Sequence, residues 1–166
     1  MLEAAKERME AMFRTIVWAT DGSELADGAL EQVRELARIH NSRIVAVHAN
    51  EVLRGRAAGA PLLADEPDLR EKIGTQVEEL RKVGVDATLE IRTGSRDVPV
   101  LIAKAADDVD ADLIVVGTHG RGGFTAAVMG SVARALCHTA GRPVLVVPPP
   151  QKVREHAGAD KQPVTV

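Results

Sequence analysis

The sequence predicts an α/β protein, an open doubly wound sheet of about five parallel strands with about four helices. Three observations carry that expectation. Short β-rich apolar runs alternate with helical stripes along most of the chain. The run Leu113 to Val116 is apolar on both faces, as a strand inside a parallel sheet must be. A glycine-rich loop then leads into another helical pattern. With 166 residues, 45% of them hydrophobic, the chain can close one core.

The first strand is expected over Phe13 to Ala19, followed by the turn Asp21-Gly22-Ser23. Leu25, Ala29, Leu30, Val33, Leu36 and Ala37 then recur at helical spacing. Ser23 suits the N-cap of that helix, and Asn41 lies where it must stop. Arg43 to His48 is the second strand, with His48 either near a ligand or packed and hydrogen-bonded. From Glu51 to Glu66 no period is visible, which reads as a long loop. Pro67 fits a first helical turn, Leu69, Ile73, Val77, Leu80 and Val83 form one stripe, and Gly84 fits the stop. Ala87 to Thr93 alternates apolar with polar residues and ends at Gly94, as a strand nearer an edge does.

Asp97 and Pro99 open a third helix through Leu101, Ile102, Ala105 and Ala106, and Leu113 to Val116 is expected near the middle of the sheet. The last helix runs through Val132, Leu136 and Cys137 and ends around Gly141; Cys137 is expected as a small buried hydrophobe. Pro143 to Pro148 holds the fifth strand. Residues 1–12 therefore read as an N-terminal extension, 13–148 as the one folded domain, and the polar stretch 149–166 as a disordered tail.

Gly117-Thr-His-Gly-Arg-Gly-Gly-Phe-Thr125 and the following Gly130-Ser131 place glycines between a strand and a helix N-terminus. Backbone without Cβ atoms can approach a phosphate closely, and the helix end offers free N–H groups and a positive dipole end. In a doubly wound sheet the turns after strands one and four meet at the switch point, so Asp21 and Gly117 are expected as neighbours. Asp21 can accept from a ribose hydroxyl, hold a metal near phosphate, or simply serve the turn. His119 and Arg121 are either phosphate donors or solvated loop side chains.

The spacing Gly117-x2-Gly120-x9-Gly130-Ser131 resembles the nucleotide signature of the universal stress protein family, from about Phe13 to Val147. The resemblance implies the universal stress protein-like, adenine nucleotide alpha hydrolase-like form of the fold and an ATP-binding protein that couples occupancy to a stress or regulatory response. It assigns Ala19, Thr20 and Asp21 to the ligand, with Asp21 a possible indirect magnesium site, and puts adenine near Ala49, just past the second strand. It assigns Gly117, Gly120, Gly130, Ser131 and the adjoining Val132 to the phosphates. AMP, ADP or cyclic AMP would use the same contacts. It also points to Val144 to Val147 as a homodimer edge, an apolar terminal strand that needs covering.

Several classes are disfavoured. There is no Gly-x4-Gly-Lys-Ser/Thr loop and no lysine to bridge terminal phosphates, so fast phosphoryl transfer lacks its parts; at most slow ATP hydrolysis is expected. A net charge of −3 and 2% aromatics argue against a nucleic-acid surface. Residues 1–10 lack a signal-peptide core and no apolar run reaches membrane length, which gives a cytoplasmic expectation with no membrane partner. The regulatory protein partner is not legible. The alternative from a different class is a dimeric interaction scaffold that uses no nucleotide.

Overall fold

The computed structural model describes residues 12–51, 66–94, 97–120 and 129–149. The sequence expectations for the 52–65 loop, for Arg121, Gly122, Gly123 and Thr125, and for the two chain ends lie outside them. Strands β1 (Thr15–Ala19), β2 (Arg43–Glu51), β3 (Ala87–Gly94), β4 (Leu113–Gly117) and β5 (Val144–Val147) form one sheet in the order β3-β2-β1-β4-β5, with every pairing parallel. Helices α1 (Gly28–His40), α2 (Glu66–Lys82), α3 (Val98–Asp108) and α4 (Ser131–Thr139) connect them. This is the doubly wound arrangement the alternation predicts. The chain reverses its direction of travel across the sheet between β1 and β4, which makes their carboxyl ends the switch point.

Alternate strand residues divide the core into two layers, because successive Cβ atoms leave a strand on opposite sides. Ile16, Trp18, Ile44, Leu113 and Val115 pack with Val33 of α1 and with Ile73 and Leu80 of α2. Val17, Val45, Val47, Ile114 and Val116 pack on the other face with Leu101, Ile102 and Ala105 of α3 and Leu136 of α4. All five residues of β4 are buried, so its two-sided apolar character reflects a helix layer on each face, although the middle position belongs to β1. β3 is an edge strand, as its alternation predicts, and β5 is the other edge.

The helix stops are where their backbone chemistry puts them. Asn41 adopts φ 52° and its N–H returns to Ala37 O, while Gly84 and Gly141 take φ 85° and 64°. Pro99 sits in the first turn of α3, where its missing N–H leaves no helix bond unmade.

Four local expectations need correction. Helix α1 begins at Gly28, not beside Ser23, because residues 23–30 first close a run of tight turns: Ala26 N to Ser23 O, Asp27 N to Glu24 O and Ala29 N to Ala26 O. Ser23 instead caps this turn run, its Oγ accepting from Ala26 N at 3.3 Å. Cys137 is exposed: the buried residues of α4 are Ala133 and Leu136, and the next position points about 100° away. Val83 falls one residue beyond α2 and is 63% exposed. Finally, β2 continues through Glu51, so Ala49 lies inside the strand, paired with Arg92 of β3.

Candidate functional site

A cavity of about 440 Å³ opens at the carboxyl ends of β1 and β4, a size that suits a small ligand. The turn after β1 contributes Ala19, Thr20, Asp21 and Ala26; β2 contributes Ala49; β4 and its loop contribute Val116 to Gly120; Met129, Gly130 and the first turn of α4 close the far side. The structure thus brings together Ala19, Thr20, Asp21, Ala49, Gly117, His119, Gly120, Gly130, Ser131 and Val132 from the sequence-derived set, while Arg121 lies outside the described residues.

The turn after β1 is held by polar groups of its own and of β2. Thr20 N donates to Val47 O at 3.1 Å, and Gly22 N donates to Thr20 Oγ1 at 3.2 Å. Asp21 Oδ1 accepts from Ser23 N at 3.0 Å and from Ser23 Oγ at 2.6 Å. His48 is fully buried beneath the turn, with Nδ1 3.0 Å from Thr20 O. Its packed, hydrogen-bonded reading therefore holds.

Across the cavity, Thr118 anchors the glycine loop. Its N–H and hydroxyl both donate to Val147 O, at 2.7 and 2.9 Å, and its own carbonyl accepts from Gly130 N at 2.9 Å. Gly130 is the N-cap of α4, and the first bond of that helix runs from Arg134 N to Gly130 O at 3.0 Å. The N–H groups of Ser131, Val132 and Ala133 precede it at the helix end, where these three residues border the cavity. That end has the polarity an anion seeks. His119 is buried, only 8% exposed, which removes the solvated-loop reading of its side chain.

The glycines also have a role within the protein. A Cβ on Gly120 would overlap Asp21 Oδ2 and stand 3.1 Å from Asp21 Cγ. One on Gly130 would lie 2.9 Å from Thr118 O, and one on Gly117 would lie 3.1 Å from both Ala26 Cα and His119 O. The signature glycines bring the two loops together before any ligand arrives. Sequence reasoning missed Ala26, the small residue facing Gly117, and the apolar wall of Val98, Ile102, Val116 and Met129. Val98 and Ile102, four apart at the start of α3, were the available signal. Among the described residues no group of three His, Cys, Asp or Glu side chains is placed to hold a metal ion, and no helix is long and apolar enough to cross a membrane.

Fold and cavity define an α/β protein with a pocket of small-ligand size at its topological switch point. Residues 12–148 match the universal stress protein family, and the chain belongs to that family. It is 32% identical over 143 residues to the universal stress protein in the QAH/OAS sulfhydrylase 3′ region of Thermus aquaticus, spanning 82% of this chain and 99% of that one. It is also 32% identical over 139 residues to the universal stress protein Sll1654 of Synechocystis, spanning 82% and 87%. The structure of the universal stress protein from Archaeoglobus fulgidus in complex with dAMP is similar with a TM-score of 0.62 at 27% identity, covering 82% of this chain and 98% of that one.

Proposed function

We propose that the chain binds an adenine nucleotide in the switch-point cavity, ATP first and AMP, ADP or cyclic AMP through the same contacts, and that occupancy biases a stress or regulatory interaction in the cytoplasm. The observation that carries this reading is the meeting of the glycine loop, the α4 N-terminus and the Asp21 turn around one cavity. The phosphates fit the backbone N–H groups of the α4 end and Ser131, and Asp21 fits a ribose hydroxyl. The base fits the aliphatic wall of Val98, Ile102 and Val116 beside Ala49, with backbone groups reading its edge. The dAMP complex of the Archaeoglobus relative supports the ligand class.

Asp21 is also the candidate for an indirect Mg²⁺ contact, since that ion takes one carboxylate, phosphate oxygens and its own waters. The nucleotide acts as a ligand in this reading, with hydrolysis slow at most. Heat extraction of freshly purified protein is expected to release adenine nucleotide, and calorimetry is expected to register dAMP and ATP binding. If nothing is released and neither binds, the nucleotide-independent scaffold replaces this reading.

The second part of the proposal is a homodimer through Val144–Val147. Among the described residues no strand pairs with the outer edge of β5, where Leu145 is 37% exposed. Two-fold pairing would cover that edge with its own copy. Light scattering is expected to give a dimer that Leu145→Lys shifts to monomer; a wild-type monomer throughout the micromolar range would remove this part alone.

A further inference from the structure

The turn that carries Asp21 is pinned on both sides of that residue. Before it, a backbone carbonyl can only accept, so the 3.0 Å contact to Thr20 O places a proton on His48 Nδ1. After it, Lys72 Nζ, from α2, donates to Gly22 O at 2.8 Å. Gly22 takes φ +74°, and a Cβ there would meet Leu69 Cδ2 at 3.0 Å, so α2 lies directly against the turn.

The lysine is itself held in place. Its ammonium pairs with Asp27 Oδ2 at 2.7 Å, and the other oxygen of that carboxylate accepts from Gln76 Nε2 at 3.0 Å. Gln76 is buried, 8% exposed. A half-exposed ion pair contributes little by itself. Here the pair aims a cation at one backbone carbonyl, a bond that charge strengthens.

We propose that Lys72 is a positioning residue for the ligand site: by fixing the Gly22 carbonyl it sets where the Asp21 carboxylate stands beside Gly120. Asp21 Oδ1 is committed to the N–H and hydroxyl of Ser23, so its orientation follows the shape of the Asp21–Ser23 turn. Gly22 is the middle of that turn. Loss of the lysine frees the carbonyl, and the carboxylate moves with the backbone. This inference rests on the nucleotide reading above.

The test compares Lys72→Met with Asp27→Asn. Both remove the ion pair, but the amide oxygen that Asp27→Asn introduces still offers Lys72 an acceptor, so only the methionine variant frees Gly22. Both are expected to lower the melting temperature. Only Lys72→Met is expected to weaken dAMP binding, by about tenfold in calorimetry, the size of one lost charge-assisted bond. It is also expected to speed hydrogen exchange at the Gly22 and Ser23 amides by about tenfold in the ligand-free protein. Unchanged dAMP affinity in Lys72→Met, or equal losses in both variants, would overturn the inference and leave the nucleotide reading standing. If the wild type binds neither dAMP nor ATP, the nucleotide reading falls. The exchange arm then decides alone: acceleration confined to Lys72→Met retains Lys72 as the residue that sets the turn, and no acceleration overturns it.

Discussion

The turn after β1 is fixed by hydrogen bonds from several directions, through Val47, His48, Ser23 and Lys72. In the loop after β4, Thr118 makes three of the described bonds, and Gly117, Gly120 and Gly130 each stand where a Cβ would crowd a neighbour. In the first, the loss of one bond is expected to have a graded effect set by what that bond positions, since the others remain. In the other, a methyl group on Gly120 would crowd the Asp21 carboxylate and one on Gly130 would crowd Thr118 O, a steric cost that hydrogen bonds elsewhere do not offset. The same glycines that suit a phosphate are first required by the protein's own contacts.

The largest effect is therefore expected from Gly120→Ala combined with Gly130→Ala. Both added atoms fall at the cavity, one against the Asp21 carboxylate and one against Thr118 O. ATP affinity is expected to drop at least tenfold, about 1.4 kcal/mol, by calorimetry. Gly120 and Gly130 belong to neither core layer, so the far-ultraviolet circular dichroism spectrum is expected to stay native. Unchanged affinity with an intact spectrum would put the nucleotide elsewhere.

The two glycines differ in what they face, and a double-mutant cycle separates them. Gly120 faces a side chain that can be removed, whereas Gly130 faces backbone. In an Asp21→Ala background the destabilisation caused by Gly120→Ala is expected to shrink by about 1 kcal/mol, while that of Gly130→Ala is unchanged. Denaturant midpoints measure both. Additivity for the Gly120 pair would mean that Asp21 does not stand where its carboxylate is placed.

Most of the fold was legible because its signals are local. The βα alternation, the left-handed stops at Asn41 and Gly84, and Pro99 in a first turn each depend on a few neighbouring residues. The meeting of Asp21 with the glycine loop was legible at one remove, from the rule that places ligands at a switch point. What escaped depends on tertiary contact or exact helix phase. Lys72 is 50 residues from Gly22 and 45 from Asp27, so nothing local marks it. Cys137 was misplaced because an apolar residue beside Leu136 looks buried until the helix phase is known. Ser23 has the chemistry of a helix cap, yet it closes a turn run that delays α1 to Gly28.

The smallest effect is expected at Ser131, and it sharpens the contrast between side-chain and backbone recognition. Ser131 is the first residue of α4, exposed at the cavity rim, and its N–H stands with those of Val132 and Ala133 at the helix end. Ser131→Ala deletes one hydroxyl and leaves all three backbone donors and the helix dipole in place. Loss of a single neutral hydrogen bond is worth about 0.5–1.5 kcal/mol. A bond at an exposed rim belongs at the lower end, so ATP affinity is expected to weaken by about two- to fivefold, less than in the double glycine variant. Calorimetry under matched salt measures the ratio. A loss at Ser131→Ala equal to or larger than that of the glycine pair would show that the hydroxyl, not the backbone, carries phosphate recognition, and the loop's missing Cβ atoms would then serve only its own packing.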